Sequence, residues 1–185
     1  LAMQGRKVLL IDLDPQANLT ISYGIPESEE NIYKAFVNGD ALQAVSVKEN
    51  IDLIPSSSDL AVAEINMDPE ISDKNNISKL IQPLEDKYDY ILIDCPPSLG
   101  LLTLNAFAAS KEVIIPIQPH FLAVKGLAKI IEVVNKIKAT TNRAVEISGV
   151  FVTMFDKRRI LHKDVLDTII MYFDDRVFST KVRSN

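Results

Sequence analysis

Short aliphatic runs alternate with amphipathic stretches along the whole of this chain, and each kind of pattern predicts one kind of element. Residues 7–13 (KVLLIDL) follow a glycine closely and read as a buried strand. Residues 51–55 form a shorter run. Residues 88–94 (YDYILID) are aromatic and β-branched, and Cys95-Pro96-Pro97 stops them. Residues 112–118 (EVIIPIQ) and 147–155 (ISGVFVTMF) are two further strands, and 176–180 reads as a sixth. Between them lie helical periods. In residues 121–139 the polar positions Lys125, Lys129, Glu132 and Lys136 trace one solvated stripe, while Leu122, Leu127, Ile130, Ile131, Val134 and Ile137 form a wide apolar face. Residues 101–109 are apolar nearly all round, which predicts a buried helix. Leu161, Val165 and Ile169, with Leu166, Ile170 and Phe173, give another stripe at helical spacing. Ile77, Leu80, Ile81 and Leu84 predict a helix that Pro83 weakens or bends. The segment 25–50 is polar and irregular, with a short helix at 32–37. Residues 1–4, followed by Gly5, read as the end of a helix. Strands alternating with helices predict an α/β fold, three-layered, with a mostly parallel sheet. No repeat, low-complexity tract or linker interrupts the pattern, so residues 1–185 are expected to form a single domain.

Composition narrows the class. At 47% hydrophobic and 24% charged, the chain has the balance of a folded globular protein and too much apolar content for disorder. No run of apolar residues is long enough for a membrane span, and no signal-peptide pattern is visible. The single cysteine, Cys95, excludes an internal disulfide and a cysteine-based zinc site, and suits a reducing cytoplasm. With 20 basic and 25 acidic residues the net charge is −5, which excludes a generically basic nucleic-acid binder. The tail from 157 onward reverses the balance, its basic residues outnumbering its aspartates.

In parallel α/β sheets, ligands lie beyond the carboxyl ends of the strands, so the polar residues there carry most weight. The first strand ends Ile11-Asp12-Leu13-Asp14-Pro15-Gln16. Asp12 and Asp14 are two apart, so they point the same way from a strand, and proline then forces a turn. Asp14 is either a site residue or a helix cap with Pro15 at the first helical position. The second motif, Ile91-Leu92-Ile93-Asp94 before Cys95-Pro96-Pro97-Ser98, has the form of a Walker-B element. There the carboxylate holds a hydrated magnesium ion against nucleotide phosphates. A buried strand needs a reason to end in a charge, and a divalent cation supplies one. Two such tips together suit metal-assisted phosphoryl transfer.

KVLLIDLDPQANLT and YDYILIDCPPSLGLLTLNA resemble the ParA/Soj chromosome- and plasmid-partitioning ATPases, of the deviant Walker-A, MinD-like P-loop class. The resemblance continues through residues 113–118, 124–127 and 152–156, and so covers essentially the whole chain. MinD and the nitrogenase iron protein differ after both aspartates, and the latter also needs cluster cysteines absent here. The resemblance implies a P-loop NTPase-like fold that binds ATP and Mg2+ and hydrolyses ATP to drive DNA segregation. It implies an ATP-bound homodimer on non-specific DNA, a ParB-like partner protein that stimulates hydrolysis, no membrane, and a cytoplasmic, nucleoid-associated location. It assigns Asp14 to the catalytic water, Asp94 to Mg2+ through water, and Asp12 to a supporting position behind Asp14 or the metal. Cys95, Pro96, Pro97 and Ser98 match the switch that senses the terminal phosphate, and Thr153 and Met154 match adenine contacts.

Departures from the pattern set expectations of their own. The family's glycine-rich phosphate-binding loop and first strand, which lies mid-sheet, are expected upstream of Leu1, and further elements after Asn185. No GxxxxGK[ST] occurs in the sequence. The chain is therefore expected to be a truncated ParA-type nucleotide-binding domain that hydrolyses ATP negligibly by itself. The alternatives are a non-catalytic module binding a partner or DNA, and a MinD-type positioning ATPase, which needs a C-terminal amphipathic membrane helix. His120 and Lys125 stand where many relatives carry acids. His120 and His162 lack a metal or triad pattern and read as structural or surface residues. Cys95 reads as a small switch residue, and Ser98 lacks a nucleophile-elbow context. The lysine stripe of 121–139 is a solvated face or a dimer or DNA contact. Lys157, Arg158 and Arg159, past a strand tip, are a solvated loop or a contact for DNA or a partner, as are Lys181 and Arg183.

Overall fold

A computed structural model of the chain describes residues 1–26, 31–66 and 76–184. They form two compact units, Leu1–Ala109 and Ser110–Asn185.

The first unit is built on β1 (Val8–Asp12), β2 (Val45–Lys48), β3 (Ile51–Ile54) and β4 (Tyr90–Asp94), in the order β2-β3-β1-β4. β1 pairs in parallel with both β3 and β4, whereas β2 runs antiparallel to β3. β1 is central, and its aliphatic run is explained by burial: Val8, Leu9 and Ile11 lose nearly all contact with solvent. Leu9, Ile11, Leu13 and Ile54 join Ile32 and Phe36 of α2 (Ile32–Asn38), Leu60 of α3 (Leu60–Asn66), Ile77 and Ile81 of α4 (Asn76–Ile81), and Leu101, Leu102 and Ala106 of α5 (Leu101–Ala109) in one core. α1 (Asn18–Ser22) follows the tip of β1. Asn31 caps α2 by accepting the Tyr33 N–H at 3.0 Å, and Gly39, left-handed at φ 76°, ends it. Pro83 acts as expected: α4 stops at Ile81 and a single 3-10 turn, Gln82–Leu84, follows. Residues 2–4 are a 3-10 turn closed by Gly5 at φ 78°.

The second unit pairs β5 (Glu112–Ile117) with β6 (Glu146–Val152) in parallel, joined by α6 (Phe121–Thr140) and followed by α7 (Ile160–Phe173). Val113, Ile115, Ile117, Val150 and Val152 from the strands are buried, as are Leu127, Val134 and Ile137 from α6 and Val165, Ile169 and Phe173 from α7. Lys125, Lys129, Glu132 and Lys136 are all exposed, so the polar stripe of α6 faces water. The side chains of Leu122 and Val124 lie outside the described ones.

Four local features depart from the pattern. β2 and α3 were not expected; both are short, and β2 is largely exposed, so neither has a strong apolar period. On α7 the buried face is His162, Val165, Ile169 and Phe173, while Leu161 and Ile170 are exposed. A histidine thus takes the position that the stripe gives to leucine. The sixth strand at 176–180 is reduced to a parallel bridge, Val150 to Val177, with Phe178 N donating to Val150 O at 2.9 Å. The chain then leaves β6 and returns, where Val182 N donates to Val152 O at 2.9 Å.

Phe178 packs against β6 with its ring tip at Gly149. Its ring stacks on Phe151 with centroids 6.4 Å apart, and a Cβ on Gly149 would meet its Cζ at 2.6 Å. Gly149 has no positive φ, so space and not backbone conformation excludes a side chain there. Gly149→Ala should destabilise the protein by about 1–2 kcal/mol through overpacking, and by little when Phe178→Ala is also present. Urea unfolding of the two single variants and the double variant measures this, and equal losses in both backgrounds would refute the contact.

Candidate functional site at the tips of β1 and β4

The register of β1 and β4 sets Asp12 opposite Asp94, so the two strand-ending carboxylates expected from the sequence lie on adjacent strands at one sheet end. Asp14 follows two residues beyond, and Leu13 N donates to Asp94 O at 2.8 Å, continuing the pairing to its doorstep.

Asp12 is wholly buried, and its charge is satisfied within the chain. Oδ1 accepts the Asp14 N–H at 3.2 Å; Oδ2 accepts the Thr20 N–H at 2.8 Å and the Thr20 hydroxyl at 2.7 Å. Thr20 Oγ1 in turn accepts the Ser56 N–H at 3.0 Å, and the Ser56 hydroxyl donates to Asp14 O at 2.6 Å. The tips of β1 and β3 and the helix α1 are thereby tied into one closed circuit around the backbone of Asp14. Asp12 thus holds the backbone of Asp14. Thr20 and Ser56 were missed in the sequence. Ser56 had a usable signal, being polar and just past the strand 51–55.

Asp14 is half-buried. Its Oδ1 accepts the Gln16 N–H at 2.9 Å, and its carbonyl accepts the Ala17 N–H at 2.9 Å. The helix-cap reading therefore fails: Asp14 closes a turn before the helix, and Pro15 is not at the first helical position. Pro15 sits in the turn, Ala17 is left-handed at φ 53°, and α1 starts only at Asn18. Asp14 Oδ2 has no hydrogen-bond partner among the described residues.

Asp94 is exposed, yet its carboxyl is pushed above the usual carboxylate range. Desolvation by its surroundings is the largest cause, followed by the charges of Asp12 and Asp14; the Cys95 backbone N–H opposes them. The site is thus short of positive charge, and a cation would relieve it. Among the described residues no group of three His, Cys, Asp or Glu side chains could enclose a metal ion. A sparse carboxylate site of this kind fits Mg2+, which keeps much of its water and takes its remaining ligands from phosphate. Asp94 is the side chain here that fits such an ion.

The loop after β4 is arranged by α5. Thr103 Oγ1, buried, donates to Ser98 O at 2.7 Å; Pro96 is buried, Pro97 and Ser98 exposed. Cys95 Sγ donates only a long contact to Ile93 O at 3.8 Å. Burial, then the charges of Asp94 and Asp14, push its thiol up to about 12. It is no nucleophile at neutral pH.

In the second unit, Thr153 and Met154 stand just past β6. Thr153 N donates to Ile117 O at 2.9 Å, and Met154, half-exposed, is left-handed at φ 54°. A non-glycine residue held there is strained, which marks functional sites often. Among the basic candidates, Lys157, Arg158, Arg159 and Arg183 are exposed. The backbone bridge between Phe155 and Arg183, and Lys181 Nζ 5.8 Å from the Phe155 ring centroid, bring the tail to the start of the 157–159 cluster. Arg158 is already engaged: Nε donates to Asp156 Oδ1 and Nη2 to Oδ2, both at 3.0 Å. These bonds hold the Asp156 carboxyl down to about 2. His162 is a structural residue, its Nδ1 accepting the Asp156 N–H at 3.1 Å.

The chain matches the profile of the AAA domain family over residues 1–147. It is 40% identical over 191 residues to the sporulation initiation inhibitor protein Soj of Bacillus subtilis, covering 100% of this chain and 75% of that protein. It is 38% identical to the chromosome-partitioning ATPase Soj of Treponema pallidum, with 100% and 74% covered. The chain belongs to the ParA/Soj family of partitioning ATPases. Its fold is that of a solved plasmid partition protein from Borrelia burgdorferi, at TM-score 0.84 and 30% identity over 98% of this chain and 79% of that one. It also matches cobyrinic acid a,c-diamide synthase from Mycobacterium smegmatis with bound ADP and magnesium, at TM-score 0.88 and 30% identity, with 99% and 76% covered. The fold class is thus the three-layer α/β/α type with a mostly parallel sheet, as the sequence pattern predicts. No helix among the described residues is long and apolar enough to cross a membrane.

At pH 8 a thiol titrating near 12 is ionised to roughly one part in ten thousand. Native Cys95 should therefore resist iodoacetamide and react once the chain is unfolded in urea. Labelling of the native protein at the rate of a free thiol, followed by mass spectrometry, would contradict this.

Proposed function

We propose that this protein is an ATP-dependent DNA-partitioning ATPase in which Asp14 and Asp94 serve one phosphoryl-transfer site. The observation that carries the reading is the alignment of Asp12 with Asp94, which gathers three carboxylates at adjacent strand tips, each strand followed by a proline turn. Membership of a partitioning ATPase family, and a fold match solved with ADP and magnesium, support ATP and Mg2+ as the cofactors. Residues 1–185 are read as one ParA-type nucleotide-binding domain comprising both units.

The roles follow from the local chemistry. Asp94 holds the hydrated metal ion, since its charge is exposed and uncompensated. When bound, Mg2+ neutralises charge on the terminal phosphates. Asp14 orients the attacking water through Oδ2, the oxygen left open by the turn. Its other oxygen and its carbonyl are held by Gln16 and Ala17, and its backbone is fixed by Asp12 and Ser56, so little positional freedom remains to be lost in the reaction. The stiff Cys95–Ser98 segment, with Thr103 holding Ser98 O, responds to the terminal phosphate. Thr153 and Met154 contact the adenine. ATP-bound homodimers, contact with a ParB-like partner and a nucleoid-associated location belong to the same proposal.

Non-specific DNA contact is assigned to Lys157, Arg159, Lys181 and Arg183, with Arg158 contributing less because its guanidinium fork is occupied by Asp156. Contacts to phosphate carry no sequence information and fall with salt.

In the intact protein, Asp14→Ala should keep Mg-ATP binding and lower turnover by at least about a hundredfold, the usual contribution of a positioned proton acceptor. Asp94→Asn should weaken Mg2+ dependence instead. Steady-state phosphate release at varied ATP and Mg2+ separates the two, and normal turnover in Asp14→Ala removes that residue from the mechanism. Lys157→Ala with Arg159→Ala should weaken binding to unrelated duplexes equally and lower its salt dependence, whereas Arg158→Ala alone should do so less. Fluorescence anisotropy at several salt concentrations reads this, and unchanged affinity at low salt returns the cluster to a solvated loop.

A further inference from the structure

The segment 95–100 has a second neighbour besides Thr103. Glu64, on α3, sends its carboxylate against Gly100, and its Oε1 is buried with no hydrogen-bond partner among the described residues. A Cβ on Gly100 would overlap that oxygen and lie 2.9 Å from Glu64 Cδ. The Ser98 hydroxyl is 3.5 Å from the same Cβ position. Gly100 has no positive φ, so its backbone would suit other residues. What the glycine provides is the room that the Glu64 carboxylate fills.

A buried acceptor without a donor is costly, and folded proteins retain few of them. Here the orphan acceptor and an exposed hydroxyl converge on the same point of one loop. We propose that Glu64 is a positioning residue: its Oε1 accepts a hydrogen bond from Ser98 Oγ in a second arrangement of the loop, the one adopted with a nucleoside triphosphate bound. Helix α3 then holds the loop in its phosphate-engaged form, and the unpaired oxygen favours that arrangement over the one described above. The inference rests on reading 95–98 as the phosphate-responsive segment.

The test uses the intact protein with Glu64→Leu, Glu64→Gln, Gly100→Ala and the pair Gly100→Ala/Glu64→Ala. Leucine removes the acceptor, whereas glutamine keeps one at the same reach. With Mg-ATP, Glu64→Leu should lower kcat about tenfold while KM moves less than about twofold, the scale of one hydrogen bond, and Glu64→Gln should recover most of the loss. Hydrogen exchange across 95–100 should slow when a non-hydrolysable ATP analogue and Mg2+ are added to the wild type, and should not slow in Glu64→Leu. Without nucleotide, Gly100→Ala should lower Tm and the paired variant should recover most of it, because the clash partner is gone. Wild-type kcat and exchange in Glu64→Leu, or equal losses with leucine and glutamine, would overturn the proposal. The nucleotide-free Tm arm does not depend on catalysis. Recovery there alongside normal turnover in Asp14→Ala would count against the ATPase assignment and leave the Glu64–Gly100 contact standing.

Discussion

A single buried carboxylate organises the strand tips of the first unit. Asp12 receives three hydrogen bonds, from Asp14, Thr20 N and Thr20 Oγ1, and no water is needed to satisfy it. Hydrogen bonds to a charged group are worth roughly 1.5–3 kcal/mol each, so the cluster can carry a charge that burial alone would forbid. Removing the acceptor would strand all three donors at once. The consequence is geometric as much as energetic: Thr20 relays the constraint to Ser56, and Ser56 returns it to the carbonyl of Asp14. The position of Asp14 is therefore over-determined, while one of its oxygens is left to other uses.

The two acidic tips have opposite characters, and their environments explain it. Asp12 is enclosed and fully paired; Asp94 is open and repelled by its neighbours. One is a fixture of the fold, the other a place where positive charge is wanted. Identical side chains on paired strands thus differ in charge environment according to which donors reach them.

Much of this was legible in the sequence, for identifiable reasons. The strands β1, β4, β5 and β6 are aliphatic because they are buried, and their polar ends mark the ligand side. α5 and α6 announced themselves by composition and period. β2 could not be read because four mostly exposed residues carry no burial signal, and α3 because, among its described side chains, only Leu60 and Ala63 are buried. The Asp12–Thr20–Ser56 circuit joins residues up to 42 apart and exists only once the strands are in register. Gly100 gave no sign of its partner, since Glu64 approaches it from a helix that the pattern did not reveal. The pairing of Arg158 with Asp156 spans two residues and was in principle visible. What could not be seen was that the backbone N–H of Arg158 joins the same carboxylate at 2.9 Å, making a compact turn.

The antiparallel ribbon of β2 and β3 has a bearing on how the sheet can be extended. Asn50, left-handed at φ 59°, closes the ribbon, and the register slips between Ser46 and Lys48. A short, irregular outer strand with a lysine beside the slip is a poor template for docking another chain. Strand addition on that flank is disfavoured, whereas the sheet's other terminal strand, Tyr90–Asp94, is regular and ends in one of the acidic tips.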